Sequence, residues 1–227
     1  MGIKENLYKI KEQINNLNVK IIAVTKYAAC EQIVEAFNLG IKDFGESYLQ
    51  DALEKISSDG QLKNLKSDIK WHFIGRLQKN KIKQITGNFY LIHSVDSQEI
   101  TELINQAADF KNLTQDILLQ VNISGEETKG GFKKEELLNV FKRINTLSKI
   151  RIKGLMTIAP KTENKEIIRE CFSGLYNLKN EINKDFSGQL TELSMGMSND
   201  YQTALDCGST ILRLGRAIFN DQNQKGG

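Results

Sequence analysis

Lys26 follows the run Ile21-Ile22-Ala23-Val24-Thr25, and an ammonium at the end of an apolar strand is costly to desolvate unless it has a partner or a task. Burial lowers a lysine pKa and raises the share of neutral amine, the form that attacks an aldehyde or ketone. Two later segments have the makings of an anion cradle. Ser194-Met195-Gly196-Met197-Ser198-Asn199-Asp200 and Leu214-Gly215-Arg216-Ala217 both carry small residues into the start of a helical pattern, where backbone N–H groups point at a ligand. Taken singly, each also reads as an ordinary strand-to-helix turn with a Ser or Asp cap. A reactive amine beside a phosphate cradle suits an aldehyde or ketone that carries a phosphate.

Bringing those segments together is the task of the fold. Short apolar runs at 20–25, 41–45, 69–74, 90–95, 116–123, 151–158, 192–195 and 210–214 alternate with helix-periodic segments such as 31–39, 98–110, 134–147 and 165–182. Strands apolar at nearly every position, such as Ile117-Leu118-Leu119-Gln120-Val121, are expected where helices cover one face and a closed core the other. Such strands also fit an open sheet. Eight units in 227 residues lie near the lower size limit of a TIM barrel, whose active sites sit at the C-terminal strand ends and whose phosphate sites often follow strands seven and eight. The expectation is therefore an α/β chain, 1–227, folded as a single TIM (β/α)8-type barrel. An extra N-terminal helix near 4–17 would cover the gap left by a missing final helix. Closure would set strand eight against strand one, with Lys26 beside Arg213 and the Gly215 loop. Two reaction classes fit: pyridoxal 5'-phosphate held covalently on Lys26, with a side chain tuning its pyridine nitrogen, or a Schiff-base aldolase of sugar phosphates. Spacing does not choose between them.

Composition removes other classes. Lys plus Arg total 31 against 28 acidic residues, and a scattered net charge of +3 gives no nucleic-acid footprint. No apolar run approaches the roughly 18 residues of a membrane span, and Met1 to Tyr8 is polar rather than a signal core, so the expected compartment is the cytoplasm. Cys30, Cys171 and Cys207 are far apart and lack a CxxC spacing, which reads as core thiols. The two histidines, His72 and His93, read as hydrogen-bonded residues that orient a loop, with no companion ligands for a metal. Tyr48 reads as a packing residue, Lys129-Gly130-Gly131-Phe132 as a rim loop and the lysine-rich 78–83 as a solvated helix face.

Several longer segments carry a resemblance. They are Ala23-Val24-Thr25-Lys26, Phe44-Gly45-Glu46-Ser47-Tyr48-Leu49-Gln50, Trp71-His72-Phe73-Ile74-Gly75-Arg76-Leu77-Gln78 with Asn80-Lys81, Gly154-Leu155-Met156-Thr157-Ile158-Ala159-Pro160, Leu193-Ser194-Met195-Gly196-Met197-Ser198 continuing to Gly208-Ser209-Thr210, and Leu212-Arg213-Leu214-Gly215-Arg216-Ala217-Ile218-Phe219. In this order, nearly end to end, they resemble the pyridoxal phosphate homeostasis proteins. The resemblance implies a barrel like the N-terminal domain of alanine racemase. It implies pyridoxal 5'-phosphate bound through Lys26, Arg213 facing the pyridine nitrogen, and Ser198 with the backbone of Gly215 and Arg216 on the phosphate, with Ser194 contributing. Ser47 stands where the family commonly has Asn. The implied role is vitamin B6 cofactor buffering and supply without robust turnover, by a cytoplasmic monomer whose expected recipients are pyridoxal-phosphate-dependent apoenzymes. A weak racemase or lyase and the aldolase are the alternatives. Against a full racemase, the sequence stops soon after strand eight, leaving no room for the second domain that would serve the opposite face of a carbanion. An arginine at the pyridine nitrogen would also weaken the ring as an electron sink.

Overall fold

The computed structural model describes residues 2–14, 18–57, 62–65, 67–126, 128–186 and 190–219. Residues 15–17 of the expected N-terminal helix and the last eight residues of the expected 1–227 domain lie outside that description. Eight strands form one closed barrel in sequence order: β1 (Lys20–Val24), β2 (Asp43–Glu46), β3 (Lys70–Phe73), β4 (Leu91–Val95), β5 (Gln115–Gln120), β6 (Ile150–Met156), β7 (Glu192–Ser194) and β8 (Ile211–Leu214). Every pairing is parallel. Closure is made by β1 on β8, with Lys20 opposite Ile211 and Ala23 opposite Leu214. The barrel expected from the sequence is the observed architecture, and the open sheet is not.

The near-continuous apolar strands now have their cause. Outward residues such as Ala23, Phe44, Ile92, Leu119 and Leu212 are buried in one large cluster with residues of the surrounding helices. Those helices include α1 (Ile3–Ile14), α2 (Cys30–Asn38), α3 (Leu49–Ser57), α4 (Ile82–Ile85), α5 (Gln98–Phe110), α6 (Lys134–Ile144), α7 (Lys165–Asp185), α8 (Tyr201–Asp206) and α9 (Arg216–Phe219). A second, smaller cluster, Ile22, Leu91, Leu118, Met156 and Ile211, draws on strands alone and fills the inside. Alternate positions of each strand therefore serve two cores. No helix among the described residues is long and apolar enough to cross a membrane.

Strand ends fall short of the apolar runs where local bonding intervenes. β5 stops at Gln120, and Val121 instead forms an isolated bridge with Phe132. β1 stops at Val24; Thr25 still donates its N–H to Gly45 O of β2 at 3.0 Å, and Lys26 lies on the turn beyond. At the N-terminus, Ile3, Leu7, Ile10 and Ile14 make one buried stripe on α1. The final helix is not missing, as the sequence reading had it: it is present as α9, and α1 packs beside it, with Asn6 Nδ2 donating to Ile218 O at 2.9 Å.

That buried bond fixes where α1 lies. Asn6→Ala leaves the Ile218 carbonyl without its side-chain donor and is expected to cost about 1–3 kcal/mol, measurable as a lower urea midpoint at unchanged m-value. A midpoint equal to that of the wild type would mean that α1 is held by its apolar stripe alone.

Candidate functional site

Arg213, third of four residues in β8, points into the barrel and is 5% exposed. Its Nη1 donates to Ser194 Oγ at 2.7 Å and its Nη2 to Thr157 O at 2.9 Å. Among the described residues no carboxylate lies within ion-pair distance of it. Burial brings its pKa down to about 10, which leaves it protonated at neutral pH. Asp200, whose field opposes that shift, is itself raised by desolvation while its Oδ1 accepts from Met197 N at 2.5 Å. A buried cation held only by neutral acceptors is expensive, and that imbalance marks the C-terminal mouth of the barrel.

The loops after β7 and β8 meet there. Gly196 sits at φ +95°, and a Cβ on it would come within 2.6 Å of Ala204 Cβ, so the fold itself requires glycine. Gly215 differs. A Cβ there would meet Val24 only at 3.5 Å, an ordinary contact, and its φ lies outside the left-handed region. Packing does not explain that glycine, whereas a group seated against its backbone would. Ser198 Oγ accepts from Ala217 N at 3.1 Å and Arg216 Nη2 donates to Asn199 Oδ1 at 3.2 Å, so the two loops form one rim.

Lys26 lies on the turn after β1, two residues beyond Val24, which faces Gly215. The turn is pinned from the outer side of the barrel: Lys55 Nζ donates to Thr25 O at 2.7 Å and to Glu46 Oε1 at 2.5 Å, and Thr25 Oγ1 also donates to Glu46 Oε1 at 2.5 Å. Lys26 as a residue is part-buried along its stem, while its amine stays largely in solvent, 4.6 Å from the Tyr27 ring centroid and 5.2 Å from that of Tyr48. The sequence reading of a buried lysine with a lowered pKa is corrected: a side-chain hydrogen bond with Tyr27 outweighs desolvation, and Tyr48 adds to it, so the pKa is raised. Tyr48, read as a packing residue, is 53% exposed.

The residue types foreseen for this mouth are thus assembled, and the structure adds a feature that the sequence reading missed. His72 and His93 do not orient loops. Both are fully buried within β3 and β4, and they continue the polar contacts of Arg213 inward: His93 Nδ1 lies 2.9 Å from Ser194 Oγ, His93 Nε2 lies 3.0 Å from His72 Nδ1, and His72 Nε2 lies 2.9 Å from Asp43 Oδ1. The available signal was parity. His72, His93, Ser194 and Arg213 each occupy the inward phase of their strand, the phase of Leu91 and Ile211.

A family model described as alanine racemase, N-terminal domain, matches residues 2–223. The Aquifex aeolicus protein named Pyridoxal phosphate homeostasis protein is 40% identical over 203 residues, covering 89% of this chain and 87% of its own length. The Synechocystis protein of the same name is 42% identical over 205 residues, covering 90% and 92%. PipY of Synechococcus elongatus, whose structure was solved with PLP bound, superimposes with a TM-score of 0.88 at 32% identity, over 96% of this chain and 99% of that one.

The buried histidines make stability pH-dependent. Desolvation lowers the pKa of His72 despite the Asp43 hydrogen bond, and desolvation with the neighbouring His72 and Arg213 lowers that of His93 further. Above about pH 6.5 neither the folded nor the unfolded chain protonates them. As pH falls through that value the unfolded chain takes up protons that the folded chain refuses, and stability drops by up to about 1.4 kcal/mol per pH unit for each histidine. Melting temperature followed from pH 7 to 5 is expected to fall in the wild type and to fall less steeply in His72→Gln and His93→Gln. Equal slopes in all three proteins would show that the histidines titrate normally.

Proposed function

The chain belongs to the alanine racemase N-terminal domain family, among the pyridoxal phosphate homeostasis proteins, and from that membership we propose that it binds pyridoxal 5'-phosphate and serves vitamin B6 cofactor homeostasis, without robust turnover. The observation that carries the reading is Arg213, a buried guanidinium without a carboxylate partner. Two of its five N–H groups are used by protein acceptors, and the others are free to meet a ring nitrogen. When bound, the cofactor supplies an aldehyde for an amine to capture and a pyridine ring able to draw electrons.

What this chain's own residues do follows from their chemistry. Lys26 Nζ is the attaching amine, set on a turn that Lys55, Glu46 and Thr25 hold in place. Ser198, with the backbone N–H groups of Gly215 and Arg216, receives the phosphate, and Gly215 leaves room for it. The Ser194 hydroxyl is already engaged by Arg213 and His93, so it serves the site through Arg213. A guanidinium stays protonated at any working pH and only donates. A ring nitrogen placed opposite it would be held as an acceptor and left unprotonated, which would weaken the ring as an electron sink. Storage and supply to pyridoxal-phosphate-dependent apoenzymes in the cytoplasm, by a monomer, is the role consistent with this arrangement.

Titration with pyridoxal 5'-phosphate followed by visible absorption tests the reading. Borohydride reduction and peptide mass mapping are expected to put the pyridoxyl group on Lys26 and to lose it in Lys26→Ala; an undiminished label on another lysine would sink the assignment. Pyridoxal without phosphate is expected to bind at least about tenfold more weakly, since losing one charge-assisted hydrogen bond of about 1.5–3 kcal/mol is worth that factor or more. Equal affinities would reduce the Ser198 and Gly215 loops to ordinary turns.

A further inference from the structure

The contacts behind Arg213 form an unbroken line across the inside of the barrel, Arg213–Ser194–His93–His72–Asp43, with steps of 2.7, 2.9, 3.0 and 2.9 Å. It begins near the C-terminal mouth and ends at the first residue of β2, on the opposite rim. There Asp43 keeps 15% of its side chain exposed and lines an open cleft of about 300 Å³ with Lys11, Lys20 and Lys42. The two ends decide which way every proton points. Arginine has no acceptor and a carboxylate no donor. The Ser194 oxygen accepts from Arg213, and among the described residues its own hydrogen has one acceptor in reach, His93 Nδ1. His93 then carries its proton on Nε2 and donates to His72 Nδ1, and His72 carries its proton on Nε2 and donates to Asp43 Oδ1. The reverse order would strand the serine hydrogen in the core and set a bare imidazole nitrogen against the carboxylate.

We propose that Asp43, His72 and His93 are positioning residues for the bound cofactor: a polarised hydrogen-bond chain that holds Arg213 in place and charged, and conveys the charge state of the far rim to the ring end of the site. The proposal rests on the reading that Arg213 meets the ring of pyridoxal 5'-phosphate. Each link presents a lone pair toward Arg213 and a proton toward Asp43, so the dipoles add, and the carboxylate charge is felt across the barrel in a medium of low dielectric. Both histidines must be neutral for the chain to exist. The charged and titratable groups around them are few. His72 faces Asp43, Lys20, Lys70 and the Tyr90 ring. His93 faces His72, Arg213 and Lys20, and Arg213 has Asp200. Three cations beside two imidazoles oppose a third proton, and Asp43 alone favours one.

The first arm needs no cofactor. With only two histidines in the sequence, a tag-free protein labelled with 15N-histidine gives two ring spin systems, and long-range 1H–15N correlation reads their tautomers. Both are expected as neutral Nε2–H forms at pH 7. An Nδ1–H tautomer or an imidazolium at either site would overturn the chain. The second arm uses the protein loaded with pyridoxal 5'-phosphate. Asp43→Asn, at a partly exposed position, removes the charge and keeps the shape, while His93→Gln removes a link. Both are expected to shift the visible absorption maximum of the bound cofactor and the pH midpoint of that band, with wild-type behaviour returning in Asp43→Glu. Wild-type spectra across pH in both variants would make the chain structural only and overturn the proposal. A wild type that takes up no cofactor would end the carrier reading and the cofactor half of this proposal, whereas the tautomer measurement would still decide the chain.

Discussion

A guanidinium inside a barrel has to be solvated by something, and the arrangement around Arg213 follows from that demand. Solvent reaches little of it, 5% of the residue being exposed, and a carboxylate in contact would cancel the charge. The protein supplies instead two neutral acceptors from neighbouring strand ends, Thr157 O after β6 and Ser194 Oγ at the end of β7. These leave the charge alive. Neutral acceptors recover part of the desolvation cost of a buried ion and not all of it. The remainder is a standing preference for an acceptor from outside, and it explains why the interior is polar along one line while Ile22, Leu91, Leu118, Met156 and Ile211 fill the rest.

Closure of the barrel turns that local demand into a site. The β1–β8 ladder, Lys20 to Ala23 against Ile211 to Leu214, sets the turn that carries Lys26 against the loop that carries Gly215. Loops seven and eight are joined by the Ser198–Ala217 and Arg216–Asn199 bonds. Positions 26, 198, 213 and 215, scattered through the sequence, are brought to one end of the barrel by strand order. Precision comes from packing outside the barrel: Glu46 and Lys55 grip Thr25, and Gly196 lets the β7 loop pass Ala204 and Leu212 at a distance no side chain would permit.

The fold was legible because both faces of each strand are buried, which writes apolar runs separated by helix-periodic segments into the sequence. The rim residues were legible as types at strand ends, and the roles proposed for them come from the family motifs. What stayed hidden depended on side-chain reach. The lysine was read as buried because it follows an apolar run, but β1 ends at Val24 and the two exposed tyrosines that raise its pKa lie on different loops. His72 and His93 looked like separate strand-end residues because sequence gives no register between β3 and β4. Once Gly45 stands opposite His72 and His72 opposite Leu91, the inward parity of both imidazoles is fixed. The final short helix, α9, was overlooked because its four residues are too few to show a period.

The two ends of the proposed ligand would meet opposite physical settings, and the contrast suits a store better than a catalyst. At the ring end the partner is buried, rigid and permanently charged. At the aldehyde end the amine is largely exposed beside Tyr27 and Tyr48, with a pKa raised by hydrogen bonding. An ammonium cannot attack a carbonyl, so capture at neutral pH must first release a proton, and the covalent link is disfavoured relative to one made by a buried, neutral lysine. Retention then rests on the phosphate rim and Arg213, contacts that break without chemistry. In the proposed arrangement the amine rests protonated and the ring faces a permanent donor, a combination suited to holding a reactive aldehyde and giving it up.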